Sequence, residues 1–145
     1  MDATDEKIIR CVLRNARSTY AEIGNSVGLS APAAKRRLDR LVADGAIRAF
    51  TALIDTQALG WGTEAYLELY GKGVIYPAEL RRSLETIPEV VEACTVTGPA
   101  DAVVRLLARD IAHLEQAIQR IRQIPAVDRT ESVIVLSRLV DRPHA

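Results

Sequence analysis

Apolar residues recur at helical spacing at Ile8, Ile9, Val12 and Leu13, with Asp5 and Glu6 leading them. This spacing predicts a first helix whose early carboxylates sit where a helix N-terminus favours negative charge. Thr19 and Glu22 stand three positions apart, as in a capping box, so Ser18 or Thr19 starts a short second helix that buries Ala21, Ile23 and Val27. Gly28 ends that helix, because only a residue without a side chain turns left-handed cheaply, and Leu29 anchors the turn. Ser30 is expected to cap a third helix, with Pro32 in its first turn, that runs to about Ala43 before Gly45 stops it. Three short helices with a glycine turn between the second and third describe a helix-turn-helix.

Alternation in AIRAFTALID, residues 46–55, predicts a strand leaving the bundle, and the glycines of LGWG, residues 59–62, mark a break. Beyond it the pattern reads as a strand at 64–70, a helix marked by Leu80, Leu84 and Ile87 and closed by Pro88, then strands at 91–97 and 102–109. Ile111, Leu114, Ile118 and Ile121 mark another helix ending before Pro125, and 132–139 reads as a last strand. The order β-α-β-β-α-β is that of a ferredoxin-like sandwich. The predicted class is therefore α+β. It comprises a winged-helix-like helix-turn-helix domain over residues 1–49, a strand and linker over 50–62, and a ferredoxin-like domain over 63–145. Two helices cover one sheet face, and Val, Leu and Ile on the other would call for a homodimer.

Charge adds direction to this outline. The 145 residues hold 19 Lys and Arg against 19 Asp and Glu. Residues 1–50 hold nine basic and six acidic side chains, so the first third is positive and the remainder negative, which suggests a polyanionic partner for the first third. Lys35, Arg36, Arg37 and Arg40 fall within six positions of the third helix. Ala34, Leu38 and Leu41 define its buried stripe, which directs Arg36 away from the core and Ala33 and Arg40 along the exposed arc. Such a face suits a DNA major groove, where Arg donates two bonds to a guanine edge and Ala permits close approach. A solvated helix face is the plainer reading of the same run, and Arg37, flanking the core, either faces DNA or braces the bundle. Ser18, Thr19 and Ser30, at the helix starts, complete the candidate DNA-binding set.

Other chemistry finds little footing. The opening MDATDEK is no signal peptide and no apolar run approaches the ~18 residues of a membrane span, so a cytoplasmic protein without membrane contact is expected. Cys11 and Cys94 lack CxxC partners and are expected to be buried and reduced. His113 and His144 are isolated and read as surface residues, and Trp61 is expected to pack between the domains. Glu64, Glu68, Glu89 and Glu92 lie on strands or at their ends and suggest no paired-carboxylate mechanism. No metal and no cofactor is expected.

The chain resembles the Lrp/AsnC, or feast/famine, transcription regulators of bacteria and archaea. The residues that carry the likeness are Asp5 with Ile8 and Ile9; Arg17-Ser18; Glu22-Ile23-Gly24; Val27-Gly28-Leu29-Ser30; Arg37-Leu38 with Arg40-Leu41; Gly45 with Ile47; Thr51-Ala52; Leu59-Gly60; and Thr97-Gly98 with Asp101. The resemblance implies a sequence-specific regulator that binds double-stranded DNA and is not an enzyme. It also implies a C-terminal sensor of the RAM type that forms homodimers and often octamers, with an amino-acid effector near Thr97, Gly98, Pro99, Ala100 and Asp101. Backbone N–H groups at a glycine turn suit a carboxylate and an Asp suits an ammonium, although an ordinary hairpin turn has the same composition. The chain departs from its relatives at Pro99, Ala100 and Ala102, where they commonly carry polar or aromatic residues. The alternative function is a sirohaem decarboxylase, similar in both domains, which relies on His and Arg around a tetrapyrrole.

Overall fold

A computed structural model describes residues 1–140, in which Met1–Leu53 and Ile54–Leu139 gather into separate compact units. The predictions for His144 and for the end of the second domain lie outside the described residues.

The N-terminal unit holds helices α1 (Ala3–Arg14), α2 (Tyr20–Val27) and α3 (Ala31–Ala43). Helix α1 begins two residues earlier than Asp5, because Asp2 caps it and Asp5 closes a reciprocal capping box with Asp2. Thr19 and Glu22 form the second capping box as expected, with Thr19 Oγ1 accepting from the Glu22 N–H at 3.2 Å and Glu22 accepting from the Thr19 N–H at 2.7 Å. Ser30 occupies the N-cap of α3, yet its side chain makes no capping hydrogen bond. Ile8, Val12, Ile23, Ala34, Leu38 and Leu41 form the core, with Ile9, Val27, Leu29 and Ile47 packed against it. The turn between α2 and α3 is tight. Gly28 adopts φ +75°, and a Cβ on Gly24 would stand 2.5 Å from the Leu29 carbonyl oxygen.

The strand predicted at 46–55 does not form, nor does the wing that a winged-helix-like domain implies. A strand exists through pairing, and no described segment pairs with this one. Instead the Ile47 N–H donates to the Leu41 carbonyl at 3.0 Å, closing the end of α3.

The C-terminal unit opens with a single 3-10 turn (Thr56–Leu59), followed by β1 (Thr63–Gly71), α4 (Pro77–Leu84), β2 (Val90–Thr95), β3 (Ala102–Ala108), α5 (Ile111–Arg122) and β4 (Val127–Ile134). The antiparallel sheet has the order β2-β3-β1-β4, which is ferredoxin-like. Ala65, Leu67 and Leu69 of β1 and Ala102, Val104 and Leu106 of β3 point to one face, where Leu80 and Leu84 of α4 and Leu114 and Ile121 of α5 cover them.

Two expectations need correction here. Strand β4 starts at Val127, about five residues earlier than its apolar alternation suggested, because its register follows β1, with Leu69 opposite Thr130 and Leu67 opposite Ser132. On this edge strand the side chains on the helix-side face include Thr130, half-buried, and Ser132, exposed, so the period-2 signal is weak. The open face is also more polar than predicted. It carries Tyr66, Glu68 and Tyr70 of β1 opposite Val133, Glu131 and Arg129 of β4, with Val103, Arg105 and Leu107 of β3 on the other side of β1, so apolar residues are present there but interleaved with charged ones. Arg129 pairs with Glu131 and lies 3.7 Å from the Tyr70 ring centroid, and Glu64 holds Arg105 at 2.6 Å.

Candidate nucleic-acid interface

Helix α3 presents its cations as periodicity requires, but they are not equivalent. Ala34, Leu38 and Leu41 are buried, Ala33 is half-buried, and Lys35, Arg36 and Arg40 are exposed. Lys35 Nζ donates to Asp39 Oδ2 at 2.6 Å and lies 5.7 Å from the Tyr20 ring centroid. Asp39 thereby raises the pKa of Lys35. Arg36 makes no hydrogen bond or ion pair with any described residue.

Arg37 and Arg40 reach instead to α1. Arg37 Nη1 donates to Asp2 Oδ2 at 2.7 Å and to Asp5 Oδ1 at 2.8 Å, while Arg40 Nη2 donates to both oxygens of Asp5 at 3.0 and 2.9 Å. Arg37 therefore braces the bundle, with 29% of its side chain left exposed. Arg40 was expected to project outward freely, and although its side chain is half exposed, one end of its guanidinium is tied down. The Arg37 guanidinium, followed by the Asp5 N–H, holds the Asp2 carboxyl down to about 2. The Asp2 N–H and then Arg37 lower the pKa of Asp5.

Asp5 does more than a first-turn carboxylate need do: it is buried beneath α3. A signal was available: Asp5, Ile8, Ile9 and Val12 follow the i, i+3, i+4, i+7 spacing of one buried face. A carboxylate on that stripe needs cationic partners.

Ser18 is half-buried, and Thr19 and Ser30 are exposed. The Thr19 hydroxyl serves the capping box, whereas that of Ser30 remains available.

In the second unit, Thr97, Gly98, Pro99, Ala100 and Asp101 do form one turn, between β2 and β3. Gly98 adopts φ +128°, Thr97 and Pro99 are exposed, and Ala100 is buried. Asp101 fastens this turn to the end of β1: its Oδ2 accepts from the Gly71 N–H at 2.9 Å and its own N–H donates to the Leu69 carbonyl at 2.9 Å. A groove of about 450 Å³ between α4 and β2 reaches Thr95 and Ala102, the residues that flank the turn.

His113 is not isolated. Its Nε2 lies 2.6 Å from Glu89 Oε1, which Arg120 Nη2 also approaches at 2.6 Å, and its ring stacks on Trp61 with centroids 6.0 Å apart. Glu89, expected to be an ordinary strand-end residue, is buried, and Arg120 is the main cause of its lowered pKa against the penalty of burial. The cysteines also differ from expectation, with Cys94 exposed on the edge strand and Cys11 only half-buried.

A three-helix unit with a cationic third helix, followed in the chain by a ferredoxin-like α+β unit, defines a two-domain transcription regulator. The AsnC-type helix-turn-helix domain model matches residues 1–42 and the Lrp/AsnC ligand binding domain model matches residues 65–145. The chain belongs to the Lrp/AsnC family. It is 51% identical over 142 residues to the HTH-type transcriptional regulator Rv2324 of Mycobacterium tuberculosis, covering 98% of this chain and 96% of that protein. Among solved structures, the feast or famine regulatory protein Rv3291c of M. tuberculosis, complexed with L-methionine, is 30% identical with a TM-score of 0.90, covering 99% of this chain and 97% of the other. E. coli AsnC is 26% identical with a TM-score of 0.91, covering 99% and 97% of the two chains.

Proposed function

We propose that the chain controls transcription by laying α3 in the DNA major groove, with Arg36 reading a base edge and Arg40, Lys35, Ser30, Thr19 and Ser18 contacting the backbone. Ala33 allows the close approach, and Arg37 supports the helix from below. The observation that carries this reading is the exposed guanidinium of Arg36, which no described residue engages while its three cationic neighbours on α3 are all paired. The protein acts in the cytoplasm as a homodimer or an octamer, and the turn Thr97–Asp101 receives an amino-acid-like effector. The methionine bound to Rv3291c supports that effector class. The engagement of His113 by Glu89 disfavours the decarboxylase alternative, which needs histidine turned toward a tetrapyrrole.

Duplexes enriched from a random pool by the full chain should carry two related half-sites, spaced by about one helical turn of 34–36 Å or a multiple of it. Binding should weaken steeply with salt. Arg36→Ala should cost about 1–3 kcal/mol on an enriched duplex. No enrichment, or binding indifferent to salt, would reject the reading.

A further inference from the structure

Asp5 is 1% exposed, yet it lies beneath the helix expected to touch DNA. Its carboxylate oxygens accept from Arg37 and Arg40 at Oδ1, and from Arg40 and the Asp2 N–H at Oδ2. A buried carboxylate so saturated is costly to disturb, because each lost partner leaves negative charge in a poorly solvated place. Asp2 extends the network, since one of its oxygens accepts from Thr4 and Asp5 N–H groups while the other accepts from Arg37. The cap of α1 and the cations of α3 are therefore one construction.

Two consequences follow for any duplex that meets α3. The first is geometric: Arg40 uses Nη2 on Asp5, which leaves its Nε and Nη1 without a bond to any described residue on a half-exposed side chain, and Arg37, with 29% of its side chain exposed, is anchored at Nη1. Groups held by buried partners act with less loss of side-chain freedom than mobile ones. The second is electrostatic. Of the four cations on α3, Lys35 is offset by Asp39, and Arg37 and Arg40 are offset by Asp2 and Asp5, which leaves Arg36. Fewer counterions are then displaced per duplex than a count of basic residues implies, and non-specific attraction is held down.

We infer that Asp5 is a positioning residue of the DNA interface, which aims and partly neutralises Arg37 and Arg40 so that discrimination between sequences rests on Arg36. This rests on the reading of α3 given above. Asp5→Asn keeps size and one acceptor but removes the charge. With the full chain, it should bind an unselected random duplex pool several-fold more tightly at low salt, steepen the slope of log K against log salt by about 1, and narrow the preference for an enriched duplex over that pool. A merely structural role predicts the reverse, with affinity falling on both DNAs together.

If Asp5→Asn does not fold, Arg40→Gln, an exposed substitution, supplies the test. It should reduce the salt slope by well under the roughly one unit that an unpaired phosphate-contacting cation contributes, because the charge it removes is already offset. A reduction of a full unit would overturn the inference, as would an unchanged slope and unchanged preference in a folded Asp5→Asn. If Arg36→Ala and Asp5→Asn both leave DNA binding untouched, the reading of α3 itself has failed.

Discussion

The two units each bury a carboxylate against arginines, and they finish the task differently. In the N-terminal unit Asp5 has both oxygens engaged by charged or backbone donors. In the C-terminal unit Glu89, 2% exposed, places Oε1 against His113 and Arg120 while Oε2 has no hydrogen-bond partner among the described residues. Their cores differ in the same sense: among the described residues the main buried cluster has six apolar side chains in the first unit and fourteen in the second. A large sheet-and-helix core tolerates an unpaired polar atom whose cost is about 1–3 kcal/mol, whereas a small three-helix core has less margin and closes its ionic network completely.

The largest effect that would test this contrast is truncation of the larger core. Leu67, fully buried in the middle of β1, should cost about 2–5 kcal/mol as Leu67→Ala. Urea unfolding read by the fluorescence of Trp61, the chain's one tryptophan, follows the C-terminal unit directly. A loss well under 1 kcal/mol would show that the sheet core is loosely packed.

In the smaller core the sensitive point is backbone contact. Gly24→Ala forces a methyl against the Leu29 carbonyl and should cost about 1–3 kcal/mol in helical circular dichroism melts. A neutral result would mean that the turn relaxes freely.

Acid sharpens the comparison of the carboxylates. Asp2 and Asp5 have folded pKa values below their unfolded ones, so their contribution is present above the ordinary carboxylate range and is lost as pH falls through the folded values. The N-terminal unit should therefore weaken between about pH 4 and about pH 2. Carboxyl NMR titration should place Asp2 near 2 in the wild type and closer to its ordinary value in Arg37→Ala. An ordinary Asp2 titration in the wild type would contradict the network.

The smallest expected difference lies at two helix starts. Thr19→Ala removes a capping bond and should cost about 1 kcal/mol, while Ser30→Ala removes none and should stay within about 0.5 kcal/mol. Equal costs in thermal melts would indicate that Ser30 caps α3 in solution.

Legibility followed distance along the chain. The Thr19–Glu22 box, the glycine turn and the stripe Ala34, Leu38 and Leu41 involve neighbours within two turns, and all were readable. The bracing of Arg37 by Asp5 spans 32 residues, and no local pattern identifies which aspartate a given arginine will find. Strand β4 was misplaced for the same reason, since pairing with β1 set its start. Within the candidate effector turn, the residue types were readable but the fastening of Asp101 to Gly71 across 30 residues was not.

The sequence by itself determined the helix-turn-helix, the βαββαβ order and the concentration of cations on α3, because periodicity, capping and charge density are local properties of the chain. Only the tertiary structure decided which of those cations are engaged, where the last strand begins, and that residues 46–55 form no strand. Ion pairs and strand hydrogen bonds need a partner brought close by folding, and their geometry is absent until α1 crosses α3 and β4 meets β1.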